Sequence, residues 1–337
     1  MAGLLNGEHI LYVQEGEEEA MTRRILIASG GTGGHIFPAI VFGQDMQKKG
    51  NAVKWLCGSR DLERTIYHAS GIEPECLPLA GSPMGTKSPV KILGRIADVF
   101  RSLAMTSRIM KSFKPDEVYL FGGYISFAPL IITKLKGIPV TLHEQNTVAG
   151  RVARLASKLG ARIITGWPVC EGVREFTYTG IPVREPVRIG REDALRMLDV
   201  SIPADRKIVG VAGGSLGSGP LSDLLKKAAG LCRECDFVFL SSKAREDTGN
   251  MHFILSQWDM NAFYSVCDVL VCRAGGSTLA EALKWGMPTI TIPWPGAMDN
   301  HQTKNAQEFV KLSRKAEMFS ESGSPEELAG IITGMLQ

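Results

Sequence analysis

The sequence predicts an α/β protein built from two Rossmann-like domains that face each other across a cleft. Three observations carry this expectation. A short apolar run leading into a glycine-rich turn occurs twice, as 24–28 before Ser29-Gly30-Gly31-Thr32-Gly33-Gly34-His35 and as 207–212 before Gly213-Gly214-Ser215-Leu216-Gly217-Ser218-Gly219. Stretch 268–306 reads as a βαβ unit of a parallel sheet. Its apolar run 269–272 suits a buried strand, and Arg273-Ala274-Gly275-Gly276 interrupts it. Ser277-Thr278 then open a helix that Gly286 ends, and a second apolar run, 288–292, precedes Pro293 and Pro295.

Further elements follow in order. Residues 53–56 form a strand, and Cys57-Gly58-Ser59-Arg60 turn into a helix through Tyr67. Residues 118–121 lead into Gly122-Gly123-Tyr124-Ile125-Ser126, and 139–142 into the polar cluster His143-Glu144-Gln145-Asn146. Short strands are expected at 163–165 and 237–240. The proline-punctuated stretch 180–186 reads as the interdomain linker.

A chain of 337 residues accommodates two ordinary domains. Its 44% hydrophobic and 22% charged residues are those of a soluble globular protein. A net charge of +3 does not mark a nucleic-acid binder, and no nucleic-acid partner is expected. Seven cysteines are scattered, and the close pair Cys232-x-x-Cys235 has no second pair or histidine cluster beside it, so no zinc is expected. Unpaired thiols without an export signal indicate a reducing cytoplasm. The acidic run at 15–19 excludes a signal or transit peptide, and residues 1–20 read as a disordered leader. The longest uncharged run, 118–133, contains two glycines and Pro129 and is shorter than a bilayer requires.

Stretch 85–114 carries Lys87, Lys91, Arg95, Arg101, Arg108, Lys111 and Lys114 against the single acid Asp98. If 89–110 is helical, Ile92, Leu93, Ile96, Val99, Phe100 and Leu103 cover an arc wider than a core stripe needs. Two readings stand: a membrane-surface helix with a basic rim, or a core helix with a solvated basic face.

The candidate site residues follow from the turns. Four glycines after a strand let backbone N–H groups approach a phosphate, and Pro38 suits the first turn of the following helix. The loop is neither a P-loop nor G-x-G-x-x-G. His35, at its end, is either a base beside a bound pyrophosphate or a helix-start residue without chemistry. The turn 273–276 also suits phosphate, and Arg273 stands where it could add a bidentate contact or serve as a plain surface charge. Thr278-x-x-Glu281 fits a capping box, which would leave Glu281 satisfying backbone. Asp299-Asn300-His301-Gln302 is a dense run of hydrogen-bonding groups after a strand end, where α/β folds bind ligands.

Gly30-Gly31-Thr32-Gly33-Gly34-His35, Gly122-Gly123-Tyr124, His143-Glu144-Gln145-Asn146, Pro182-Val183-Arg184, Gly213-Gly214-Ser215 and Asp299-Asn300-His301-Gln302 resemble, in order, the motifs of the MurG family. These UDP-N-acetylglucosamine transferases convert lipid I to lipid II in peptidoglycan synthesis. The resemblance spans roughly 24–321 and implies the GT-B glycosyltransferase fold. It places an acceptor and membrane-facing domain at 21–182 and a UDP-GlcNAc-binding domain at 183–337.

Position by position, Gly276, Ser277, Thr278, Leu279, Ala280 and Glu281 resemble the donor-binding turn and helix, with Glu281 on the ribose hydroxyls. Arg184 and Ser215 match groups near the diphosphate, and Asn146, His301 and Gln302 match contacts to the sugar. Thr32, Gly33 and Gly34 match the loop between the two diphosphates, and Tyr124 belongs to the second glycine motif. Gln257 falls where the family offers a backbone group to uracil, and 85–114 falls where it faces an anionic membrane. His35 is favoured as the base, with Glu144 competing or else orienting Asn146.

The implied reaction is inverting transfer of GlcNAc to the MurNAc C4 hydroxyl of lipid I, at the cytoplasmic membrane face. No Asp-x-Asp signature occurs, so no cofactor is expected. A diacylglycerol glycosyltransferase and a non-catalytic UDP-sugar-binding protein are the alternatives. The departures from the family pattern are Ile181, Leu216, Ser241-Ser242-Lys243-Ala244 and an end at Gln337 ahead of the family's long C-terminal helical part. They bear on domain coupling and rate more than on donor recognition.

Overall fold

The computed structural model describes residues 22–81, 89–212, 220–241, 243–255, 257 and 259–337. The expected leader 1–20, the second glycine loop with Ser215, and residues 85–88 of the basic stretch lie outside the described residues.

Two parallel sheets form, as the paired glycine loops predict. The first contains β1 (Arg24–Ala28), β2 (Ala52–Cys57), β3 (Glu75–Cys76), β4 (Glu117–Leu120), β5 (Val140–Glu144), β6 (Arg162–Thr165) and β7 (Thr177–Tyr178), in the order β3-β2-β1-β4-β5-β6-β7. The second contains β8 (Lys207–Ala212), β9 (Cys235–Ser241), β10 (Met251–Leu255), β11 (Val269–Cys272), β12 (Thr289–Thr291) and β13 (Ala316–Met318), in the order β10-β9-β8-β11-β12-β13.

Alternation along the central strands explains the layering, because successive side chains leave opposite faces of a sheet. Leu26 and Ala28 enter one core layer while Ile25 and Ile27 enter another. In the second sheet Ile208 and Ala212 part from Val209 and Val211 in the same way. With both faces covered by helices, these strands read as continuous apolar runs.

Each sheet reverses its strand order beside its first strand, between β1 and β4 and between β8 and β11. Crevices outside the carboxyl ends of strands at such reversals are where doubly wound sheets hold ligands. The turns 29–32, 122–123 and 273–275 all leave these strand ends.

The helices that position the site are α1 (Gly33–Lys48), α2 (Asp61–Ala69), α3 (Pro89–Phe113), α4 (Phe127–Leu135), α5 (Arg151–Lys158), α6 (Arg191–Met197), α7 (Pro220–Leu231), α8 (Asn261–Val266), α9 (Gly276–Trp285), α10 (His301–Leu312) and α11 (Pro325–Leu336). Gly286 ends α9 in the left-handed conformation at φ 63°, as the sequence predicts. Pro38 corrects an expectation: α1 begins at Gly33, so the proline lies in its second turn rather than its first.

The two halves meet directly. Trp167 and Ile181 pack into the core cluster that also holds Ile208, Phe263 and Leu279 of the second half. Among the described residues no helix is long and apolar enough to cross a membrane.

Candidate active site

The first wall of the cleft is the turn after β1. Ser29 Oγ donates to the His35 carbonyl at 2.8 Å, and the Gly31 N–H donates to Glu63 Oε1 at 2.7 Å. The Tyr124 hydroxyl donates to the same carboxylate oxygen, and the Arg60 guanidinium lies 5.0 Å from the Tyr124 ring centroid. Tyr124 therefore faces the loop from beneath. The Gly31 amide is spent on protein, whereas Gly33 and Gly34 are the first helical residues of α1, whose N–H groups have no intrahelical acceptor. Those two amides, behind the exposed N-cap Thr32, are the ones a diphosphate can use.

Sequence reading missed Glu63. It is fully buried on α2 in line with Ile66 and Tyr67, at the i, i+3, i+4 spacing of an apolar stripe. A carboxylate on that stripe was the available signal.

His35 packs against Gly122, where an added Cβ would lie 3.1 Å from His35 Cδ2. Its Nδ1 is 3.3 Å from Thr32 Oγ1. Burial, aided by nearby His301, lowers its pKa to about 4. The free enzyme's imidazole is thus neutral at pH 7, its pKa lying below the ordinary value near 6.5.

The cluster after β5 divides into structural and presenting groups. His143 is buried, stacks on Phe121 with centroids 5.4 Å apart, and pairs its Nε2 with the Gly180 carbonyl at 2.9 Å. Burial lowers its pKa to about 4 as well. Glu144 is corrected as a base candidate. Its buried carboxylate accepts from the Asn146 N–H at 3.0 Å, Asn146 Nδ2 at 3.1 Å and the Gly150 N–H at 2.9 Å, so it organises its own loop. Burial raises its pKa, against the pull of those hydrogen bonds. Half-buried Asn146 is the group the loop presents.

The opposite wall is α9. Gly275 is its N-cap and no side chain caps it, so the Thr278–Glu281 capping box does not form. Glu281 instead accepts the Tyr264 hydroxyl at 2.7 Å. Burial raises the Glu281 pKa, partly offset by the Tyr264 bond and by the charge of Arg184. Glu281 and Arg184 line one pocket with Gln257, Ser277, Phe37 and Trp285, drawn from both halves. The Arg184 guanidinium lies 5.8 Å from the Phe37 ring centroid, and Gln257 Nε2 donates to the Leu255 carbonyl at 2.8 Å.

Leu279 is fully buried in the core, which restricts it to packing and backbone roles; Thr278 and Ala280 are half-buried on the same helix. Gly276 touches the other half: a Cβ there would lie 2.1 Å from the Gln145 carbonyl oxygen, so α9 can approach that closely only with glycine.

Arg273 is corrected as a phosphate contact. Its guanidinium pairs with Glu321 at 2.7 Å and donates to the Ile292 and Pro293 carbonyls at 3.2 Å each, tying the β11 turn to the end of β12. Beyond β12, Asp299 and Asn300 both take positive φ, 53° and 55°, to turn into α10. His301 Nδ1 donates to the Met298 carbonyl at 2.8 Å, and Gln302 Oε1 accepts the Trp294 N–H at 2.9 Å. Both side chains are half-buried at the start of α10.

The chain matches two family models, the glycosyltransferase family 28 N-terminal domain at residues 25–165 and the family 28 C-terminal domain at 208–337. It is 31% identical over 310 residues to the UDP-N-acetylglucosamine–N-acetylmuramyl-(pentapeptide) pyrophosphoryl-undecaprenol N-acetylglucosamine transferase of Shewanella loihica, covering 87% of this chain and 82% of that one. The Pseudomonas putida enzyme of the same name is 32% identical over 306 residues, with 86% and 82% covered. The crystal structure of Acinetobacter baumannii MurG superposes with a TM-score of 0.70 at 25% identity, covering 94% of this chain and 91% of that one. The spinosyn forosaminyltransferase SpnP shares the fold at a TM-score of 0.64 and 14% identity. The fold, the meeting of the turn at Gly34 with the start of α9 at Ser277 and likeness over nearly the whole chain lead to one assignment: the chain belongs to glycosyltransferase family 28, in the MurG family.

Proposed function

We infer that the chain is a UDP-GlcNAc-dependent N-acetylglucosaminyltransferase that glycosylates lipid I to give lipid II. The observation that carries this reading is the pairing of about 30% identity over most of the chain with a pocket that unites Phe37 of the first half with Arg184, Ser277 and Glu281 of the second.

Residues 21–182 would hold the acceptor and 183–337 the sugar nucleotide. Glu281 would accept hydrogen bonds from the ribose hydroxyls, and Gln257 would border the base. Asn146, His301 and Gln302 would meet the sugar. His35 would take the proton of the MurNAc C4 hydroxyl as its oxygen bonds to the GlcNAc anomeric carbon on the face opposite the diphosphate. The bond from that carbon to the diphosphate oxygen breaks and UDP departs, which gives inversion. The amides of Gly33 and Gly34, the N-terminus of α9 and Arg184 would stabilise the charge gathering on the leaving diphosphate. This role needs the tautomer with its proton on Nδ1, toward Thr32 Oγ1, which would leave the lone pair on Nε2.

Helix α3 supports a peripheral attachment to an anionic membrane. It exposes Leu93 and Phe100 at 68% and 67%, along a helix whose charges are mostly basic.

The test is transfer of radiolabelled GlcNAc from UDP-GlcNAc to lipid I, with diacylglycerol as the competing acceptor. Labelled lipid II with stoichiometric UDP is expected. Transfer to diacylglycerol alone, or binding of UDP-GlcNAc with no transfer, would overturn the acceptor assignment.

A further inference from the structure

Asn305 sits in α10, fully buried, and its carboxamide spans the two halves of the molecule. Oδ1 accepts the Thr147 N–H at 2.9 Å and the Thr147 hydroxyl at 3.0 Å. Nδ2 donates to Asn146 Oδ1 at 3.1 Å and to the Ala274 carbonyl at 3.1 Å. A primary amide offers two donors and two acceptor positions, and all four are occupied. Three of those bonds reach the loop after β5 and one reaches the turn after β11.

The bonds have a direction that matters. Asn146 Nδ2 donates to Glu144, which turns Asn146 Oδ1 toward the Asn305 amide nitrogen. A flipped Asn146 would set one NH₂ against another and its oxygen against a carboxylate. Glu144, together with Asn305 held by the Thr147 backbone N–H, therefore fixes which atom of Asn146 points where. Asn305 also lies one helical turn beyond His301, so the same helix start that faces the cleft carries the anchor.

We propose that Asn305 is a positioning residue, which sets the orientation of Asn146 for the sugar and locks that loop against the helix that carries His301 and Gln302. This rests on the donor-site reading above. The chemistry recognised is a hydroxylated sugar ring on a nucleoside diphosphate. The nucleotide portion meets other residues, in the pocket of Glu281, Arg184 and Gln257.

That separation supplies the test. Asn305→Asp keeps the acceptor facing Thr147 but places a carboxylate oxygen against Asn146 Oδ1 and the Ala274 carbonyl. Thr147→Val, which removes one hydroxyl and leaves the Asn146 geometry intact, is the control for simple loss of glue. Calorimetric titration with UDP and with UDP-GlcNAc is read beside steady-state kinetics and thermal melting.

For Asn305→Asp, UDP affinity should hold within about twofold, UDP-GlcNAc affinity should fall to that of UDP, and kcat should drop about tenfold to a hundredfold, the scale of a misplaced contact near the reacting centre. Thr147→Val should keep both affinities and kcat within about threefold. Should Asn305→Asp not fold, Asn305→Ala, which adds no charge, is read in the same titrations. Unchanged UDP-GlcNAc affinity and kcat in the folded variant, or equal losses for UDP and UDP-GlcNAc, would overturn the proposal. A wild-type protein that binds UDP-GlcNAc but leaves lipid I unglycosylated would remove the acceptor reading while the Asn305 titrations still stand.

Discussion

The Ser277 hydroxyl donates a 2.8 Å hydrogen bond to the Gly34 carbonyl, and that carbonyl is the one Pro38, four residues on, leaves without a helical donor. The proline's missing N–H creates an acceptor in the first half of the molecule, and the second turn-and-helix unit supplies the donor. A local irregularity of α1 thus becomes a contact across the cleft. Ser277→Ala leaves Gly34 unsatisfied at a cost of about 1 kcal/mol, felt in the closed arrangement of the cleft. The expected outcome is a several-fold lower kcat/KM with nearly unchanged melting temperature. Pro38→Ala should act in the same direction by offering Gly34 an intrahelical N–H, and the double variant should lose little more than Ser277→Ala alone. Additive losses would show that the two residues do not share this carbonyl.

Glu281 and Tyr264 define the donor pocket. Glu281→Ala should weaken UDP-GlcNAc binding by about 1.5–3 kcal/mol through lost charge-assisted hydrogen bonds. Tyr264→Phe removes the phenol that holds one carboxylate oxygen and should weaken it by about 1 kcal/mol. Burial raises the Glu281 pKa above the ordinary 4.5, so donor affinity should decline on acidification at a higher pH than an ordinary carboxylate would give. Calorimetry from neutral to acid pH checks both. Normal donor affinity in Glu281→Ala would remove it from the ribose.

His35→Ala should lower turnover by about 10²–10⁴-fold with UDP-GlcNAc affinity nearly unchanged. The base form is the neutral imidazole, present above its pKa, and in the free enzyme that pKa is lowered to about 4. The acid limb of kcat/KM, which reports the free enzyme, should accordingly lie near 4, while bound diphosphate raises the value and moves the kcat limb higher. A kcat/KM limb at about 6.5 would indicate a different base.

His35 and His143 also make a stability prediction. His35 and His143 are lowered to about 4 in the folded chain, whereas an unfolded imidazole takes its proton near 6.5. Between those values the unfolded chain binds more protons, so stability should fall as pH drops from about 6.5 toward about 4. Denaturant midpoints measured across that window check this. A flat profile in which His35→Ala and His143→Ala change nothing would contradict the burial of both rings.

Lys91→Glu combined with Arg95→Glu should reduce sedimentation with anionic vesicles, each lost charge contributing about 1 kcal/mol near the surface. Leu93→Ser with Phe100→Ser should reduce it further and make the remainder more sensitive to salt, because both side chains are largely exposed on α3. Equal pelleting of variants and wild type would return α3 to the reading of a helix with a solvated basic face.

The sequence by itself determined the sheet-bearing apolar runs, the turns at their carboxyl ends and the family motifs on those turns, because each is a local pattern of period and backbone freedom. The end of helix α9 was legible, since Gly286 punctuates the run, whereas its start at Gly276 lies one residue ahead of the expected Ser277. The edge strands β3, β10 and β13 were not legible, since two to five residues without alternation carry no periodic signal. Tertiary structure alone decided which polar residue does what. Glu63, Glu144 and Arg273 look equally chemical in the sequence. In the fold their charges are spent on Tyr124 and Gly31, on the Asn146 loop, and on Glu321. A side chain's hydrogen-bond partners lie up to two hundred or more residues away, as Ser277 and Gly34 do, and no local pattern encodes them. The protonation state of His35 is set the same way, by desolvation where it packs near Gly122 and by the charge of His301 from the opposite half.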